Sequence, residues 1–341
     1  MTTTFASSLM AAEMAEQPAA LRRLLARRAG LRRLIAHAAP ANLTGVAFVG
    51  RGSSANAAMF GRTLAELATG RPALLVSPSA DRLYDMHTDY TGFLAVGLSQ
   101  SGRTPEVVAT LADLRSAGAC TVAMTSDCDS PLARVADVCV DLAVGPERAV
   151  PTTKAFSAQL AALVILAEAL GGEVATDIAW GAMAHAVQVA LDDWQSADEL
   201  AHRMRTTSHL AVVGAGLFLG VAEEVALKLE ETALVAAAAH SSASYRHGPL
   251  ALTRAGLPLL AVIGPGRAGE ETARLVDDAR RMGAPVVVIG GNGDLPLPVG
   301  LPEQLAAIPA VVRGQQLALS LALLKGLDPD APLGLSKVTQ T

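Results

Sequence analysis

The chain is punctuated by short apolar runs that do not alternate with polar residues. They begin AFVGRGSS (Ala47 to Ser54), FLAVGLSQSGRT (Phe93 to Thr104) and CTVAMTSDCDSPL (Cys120 to Leu132). A strand with one wet face alternates apolar and polar positions, so runs without alternation predict strands buried on both faces. Each run leads into an Ala- and Leu-rich stretch of helical period. Strands alternating with helices predict a parallel sheet covered by helices on both sides.

The same grammar returns later in the chain. AVVGAGLF (Ala211 to Phe218), LLAVIGPGRAG (Leu259 to Gly269) and PVVVIGGNGDLPL (Pro285 to Leu297) echo the first three runs. All three echoes share an offset of roughly 165 residues, as a tandem duplication would give. The expected class is therefore α/β, with two tandem doubly wound parallel-sheet domains of flavodoxin-like type. The pattern places a helical arm at 1–34, a first unit at 35–170 and a helical connector at 171–194 that holds Trp180 and Trp194. A second unit follows at 195–320. The tail, 321–341, contains DPDAPLGLSKVTQT, whose two prolines and glycine forbid a long helix.

Composition narrows the functional classes. The 341 residues are 51% hydrophobic and 17% charged, enough for two cores. A formal net charge of −5 without a basic run argues against nucleic acid as a partner. The most basic piece, LRRLLARRAGLRR (Leu21 to Arg33), sets its arginines between leucines at helical spacing, which reads as a solvated helix face. Cys120, Cys128 and Cys139 lack CxxC spacing, so neither disulfides nor a structural zinc site is expected, and a reducing cytoplasm fits. The N-terminus lacks the charged-then-apolar order of a signal peptide. The apolar run LAALVILAEALGG is too short to span a bilayer and contains Glu168. The expectation is a soluble cytoplasmic protein with no membrane partner.

Ligands of open parallel sheets sit beyond the carboxyl ends of the strands. The loops there are GRGSSANAA, SQSGRTPEV and RAVPTTKAF, which offer Ser53, Ser54, Ser99, Gln100, Ser101, Thr104, Thr152 and Thr153. Hydroxyls and free N–H groups at helix starts suit a phosphate monoester. Ser and Thr are also ordinary helix caps, and any one loop alone reads that way. Three such loops in the first unit, with none as hydroxyl-rich in the second, point to a phosphate site in the first unit only. GRGSSA also fits a dinucleotide fingerprint. The next strand, however, ends in Ser77-Pro78 rather than an acid, and no Walker loop is present.

In AEEVALKLEETALV (Ala222 to Val235) Glu224, Lys228 and Glu231 recur at four and three residues and share one helix face. By itself that is an exposed salt-bridged stripe. His247 stands before Gly248-Pro249, a stiff corner where a helix cannot comfortably continue.

Six ordered pieces, GRGSS, SQSGRT, VPTTKAF, EVALKLEE, RHGPLAL and LSKV, resemble the double sugar-isomerase (SIS) domain family over nearly the full length. The likeness is to the isomerase half of glucosamine-6-phosphate synthase and to SIS-type glucosamine-6-phosphate deaminases. The resemblance implies that Ser99, Gln100, Ser101 and Thr104 hold a sugar phosphate, with Ser54 alongside. It implies that Gly52, Ser53, Val150 and Thr152 line the sugar. Glu231 would be the base between C1 and C2, and Lys228 would orient it. His247 would open the ring in the partner subunit's site of a homodimer, and Lys337 would close over the anomeric centre. No cofactor and no metal are implied. With no glutamine-hydrolysing segment in view, the ammonia-releasing direction is expected: glucosamine 6-phosphate to fructose 6-phosphate. A fructosamine-6-phosphate deglycase, a ketose/aldose-phosphate isomerase and a non-enzymatic sugar-phosphate sensor stay open. The chain departs from the family at Arg51, Ser244 and Ala236 to Ala239.

Overall fold

The computed structural model describes residues 8–77, 84 and 88–337. Two compact units form. One comprises the described residues of Ala19–Glu147 with Lys154–Val174; the other comprises 8–18, Arg148–Thr153 and Ala175–Lys337.

The first unit holds a parallel five-stranded sheet of order β2-β1-β3-β4-β5. Its strands are β1 Gly45–Val49, β2 Ala73–Leu75, β3 Phe93–Leu98, β4 Cys120–Thr125 and β5 Val138–Asp141. Every residue of β1 is buried, as its unbroken apolar run predicts. Leu111 and Leu114 of the helix Pro105–Ser116 pack with Ala47, Ala95 and Ala123 from the sheet. The helix Lys154–Ala169 is buried almost throughout, including Phe156, Leu160, Leu163 and Val164. The helices Gln17–Ala26 and Arg28–Ala38 bury Leu21, Leu24, Leu31 and Ile35 and leave Arg22, Arg23, Arg32 and Arg33 in solvent. Those four form the solvated basic face the spacing predicts, whereas Arg28 turns inward and pairs with the buried Glu168 at 2.8 Å.

The second unit repeats the arrangement as a parallel four-stranded sheet of order β7-β6-β8-β9. Here β6 is His209–Gly214, β7 Ala236–Ser241, β8 Leu259–Val262 and β9 Val286–Ile289. The shared order of the first four strands gives the tandem repeat its structural meaning. Its long final helix, Glu303–Leu324, has the length and mean hydropathy, 1.4, of a membrane span. It is instead a core helix with 89% of its apolar window buried. In its middle Arg313, fully buried, donates to Asp193 Oδ2 at 2.7 Å and to the Ala190 carbonyl at 3.1 Å.

One strand went unpredicted, and one expectation is corrected. Ala236–Ser241 is a strand although four alanines open it and none is β-branched. The preceding helix ends at Ala233, Leu234 turns left-handed at φ 51°, and the chain pairs with β6 from Ala236 to Ser241. Pairing along a sheet edge outweighs the weak strand preference of alanine. Cys128 and Cys139 are joined by a disulfide, with Cα atoms 6.0 Å apart, which corrects the expectation of unpaired thiols. Their separation of 11 residues hides the pairing in sequence, because it depends on β5 folding back beside β4.

Candidate active site

Because β1 and β3 pair in parallel register, from Gly45 opposite Phe93 to Val49 opposite Gly97, the loops after them are neighbours. The first loop carries Gly52, which turns left-handed at φ 53° and caps the helix Ser53–Thr69. Nothing lies within 4 Å of where a Cβ on Gly52 would be, so the space above it is open. Ser53 and Ser54 occupy the first turn and are largely buried. The hydroxyl of Ser54 faces inward and accepts from Gln159 Nε2 at 2.9 Å.

The second loop folds on its own side chains. Ser99 Oγ accepts from the Gly102 N–H at 3.1 Å and lies 3.2 Å from Thr104 Oγ1. Ser101 Oγ accepts from the Arg103 N–H at 3.2 Å. Gly102 is left-handed at φ 64°, and a Cβ there would lie 2.1 Å from Ser130 Oγ. Thr104 stands at the N-cap of Pro105–Ser116 but makes no side-chain cap bond. Ser130 and Thr176, by contrast, do cap their helices. Thr104 is thus not spent as a simple cap. Arg51 Nε joins Glu106 Oε2 at 2.7 Å and links the two loops, a bridge that sequence reading missed. Arg103 similarly joins Asp127 at 2.9 Å.

The second unit has corresponding left-handed glycines, Gly216 at φ 55° and Gly266 at φ 83°. A carboxylate stands against both. A Cβ on Gly216 would lie 3.5 Å from Glu303 Oε1, and one on Gly266 would lie 3.5 Å from Glu303 Oε2. Burial pushes the Glu303 carboxyl above its usual range. The buried helix of the first unit begins instead with Lys154, whose Nζ donates to the Pro146 carbonyl at 2.6 Å.

The second unit also carries the acidic and basic cluster. On the helix Phe218–Ala233, Lys228 and Glu224 are completely buried and 3.4 Å apart. Lys228 also donates to Glu231, whose side chain keeps 19% of its surface. The stripe is therefore not a solvated face: an ion pair is sealed beneath one carboxylate that reaches solvent. Burial works against the Lys228 ammonium, but the adjacent Glu224 and Glu231 carboxylates outweigh it and hold its pKa above the ordinary value. Lys228 is held as a cation, and of its two carboxylate partners only Glu231 reaches solvent.

His247 ends the short helix Ser242–Arg246, and Pro249 opens the next at Leu250–Arg254. Its ring is exposed, and among the described residues no hydrogen bond is made to it. Val150 and Thr152 lie in the segment 148–153, which is anchored within its own unit. The Glu13 carboxylate accepts from the backbone N–H groups of Arg148 and Ala149, and Val150 N–H donates to the Asp330 carbonyl at 2.9 Å. These anchors could not be found from spacing, because Glu13 and Asp330 are remote in sequence. Lys337 is half-buried at the end of the described chain.

The SIS domain model matches residues 44–169 and 203–298, and the chain belongs to that family. It is 33% identical over 96% of its length to the glutamine–fructose-6-phosphate aminotransferase of Symbiobacterium thermophilum, covering 58% of that protein. With the enzyme of that name from Thermococcus kodakarensis it shares 29% identity, over 96% of this chain and 57% of the relative. The chain thus spans little more than half the length of these curated relatives. Among solved structures, a Silicibacter pomeroyi protein provisionally described as a phosphosugar isomerase superposes with a TM-score of 0.86 at 29% identity, over 95% of this chain and all of that one. A glucosamine-6-phosphate deaminase from Thermotoga maritima shares the fold, with a TM-score of 0.80 at 24% identity over 98% of this chain and 100% of its own.

Proposed function

We propose that the protein is a phosphosugar enzyme of the SIS type that moves a proton between C1 and C2, most specifically a glucosamine-6-phosphate deaminase. The observation that carries this reading is the Glu231 carboxylate, which reaches solvent and is held over a sealed lysine. Glu231 takes the proton from C2 of the open-chain amino sugar and returns it to C1. The C2–N bond becomes an imine, and water hydrolyses it to the ketone of fructose 6-phosphate and ammonia. His247, exposed on its Gly-Pro corner, opens the ring, and Lys337 assists at the anomeric centre. Gly52, Ser53, Val150 and Thr152 line the sugar. A deglycase or a simple ketose/aldose-phosphate isomerase would use the same proton transfer and differs in the group at C2. Likeness to aminotransferases of sugar metabolism supports a cytoplasmic location.

Ser99, Gln100, Ser101 and Thr104 hold the phosphate, with Ser54 supporting the neighbouring loop from within. The open space above Gly52 supports this, as does the Glu303 carboxylate standing against the equivalent glycines of the other unit. Phosphate here supplies binding energy remote from the reacting carbons. Ser101→Ala with Thr104→Ala should remove about 2–5 kcal/mol of charged hydrogen bonding. The expected result is a raised KM for glucosamine 6-phosphate in an ammonia-release assay. An unchanged KM would remove the phosphate from this loop.

The active form is a homodimer in which His247 serves the partner subunit's sugar. Glu231→Gln and His247→Ala homodimers are then each nearly inactive, while a mixture recovers roughly a quarter of wild-type activity per site, because hybrids place both defects in one site. No recovery after confirmed subunit exchange would contradict the shared site.

A further inference from the structure

The turn that carries Cys128 is built into the Ser99–Thr104 loop. Ser126 N–H donates to the Gln100 carbonyl at 3.1 Å, and Leu132 N–H donates to the Gly102 carbonyl at 3.0 Å. Thr125 Oγ1 also donates to the Gln100 carbonyl, at 3.2 Å. Arg103 Nη2 reaches Asp127 Oδ2 at 2.9 Å, and Ser130 fills the space beside Gly102. Residues on both sides of Cys128 therefore hold the hydroxyl loop in place. Cys139 is on β5, the edge strand, where it pairs with Ala123 of β4. The disulfide ties the tip of the turn to that edge. Cys128 is exposed and Cys139 partly exposed, so a small thiol or disulfide can reach the pair. Cys120 is unpaired and begins β4, at the end opposite the turn.

We propose that Cys128 and Cys139 form a thiol–disulfide switch that sets the affinity of the Ser99–Thr104 loop for phosphate, high when oxidised and low when reduced. The proposal rests on the phosphate role given to that loop. Oxidation removes two electrons and two protons from the two thiols as the S–S bond forms. Oxidised glutathione accepts them by thiol–disulfide exchange and leaves as two glutathione thiols. The bond acts by preorganisation: a turn tethered at both ends loses less freedom when the anion arrives.

The test compares one preparation in two redox states. Protein equilibrated with oxidised glutathione should bind inorganic phosphate about three- to tenfold more tightly than the same protein reduced with dithiothreitol. KM for glucosamine 6-phosphate in the ammonia-release assay should be lower in the oxidised protein by the same ratio while kcat stays constant. Cys128→Ser should behave as the reduced protein in both conditions, and Cys120→Ser should keep the response. Equal phosphate affinity in the two states overturns the switch. So does alkylation and mass measurement that finds both thiols free after oxidation. The Ser101→Ala, Thr104→Ala variant separates the two ideas. If it binds phosphate as well as wild type, the loop assignment itself has failed. If it binds weakly while redox state changes nothing, only the switch has failed.

Discussion

Glu231→Gln should bind phosphosugar as the wild type does and lose turnover by about two or more powers of ten. Glutamine keeps the size and one carbonyl acceptor of the side chain but cannot take a proton. Lys228 remains sealed and paired with Glu224 in the variant, so the helix should keep its fold. Equal binding with lost turnover separates a proton-transfer role from a merely structural one, which would alter stability and leave chemistry intact. A variant with normal turnover would remove Glu231 from the reaction.

Lys228→Met should be the most destabilising single change in this cluster. It removes the cation from between two carboxylates, one of them, Glu224, with no exposed side-chain surface. Breaking one partner of a buried ion pair costs about 3–5 kcal/mol, because the other charge stays desolvated. The pH dependence has a definite sign. The Lys228 pKa is raised in the folded protein, so its contribution is fully present below the ordinary lysine value and is lost only as pH rises through the folded value. Between about pH 6 and 9 the wild type therefore keeps the ammonium. In the variant the orphaned Glu224 is driven towards its protonated form, so the deficit should shrink as pH falls. Chemical denaturation of both proteins across that range checks the prediction. A loss below about 1 kcal/mol would show that the buried pair is replaceable.

The layout of the fold was legible because the inner strands β1, β3, β4, β6 and β8 are buried on both faces, and such strands write unbroken apolar runs. The repeat was legible for a related reason: the turns after β1 and β6 need left-handed glycines, and Gly52 and Gly216 stand at matching positions. The strand Ala236–Ser241 was not legible, since alanine carries no strand signature and only pairing with β6 makes it one. In the site, the spacing of Glu224, Lys228 and Glu231 gave their common face. It could not show that two of the three are sealed, because that depends on what packs over the helix. The Arg51–Glu106 bridge, the Glu13 anchor and the Cys128–Cys139 bond escaped for one reason. Each joins residues brought together by strand order or by distant chain, and neither leaves a local pattern.

The central claim is that Glu231 carries a proton between C1 and C2 of a phosphorylated sugar. Deuterium incorporation tests it most directly. Wild-type protein incubated with fructose 6-phosphate and ammonium in heavy water should place deuterium at C1, followed by proton and carbon NMR. Glu231→Gln, shown to bind the same sugar, should leave C1 undeuterated over the same time. Incorporation by the variant at the wild-type rate would contradict the account.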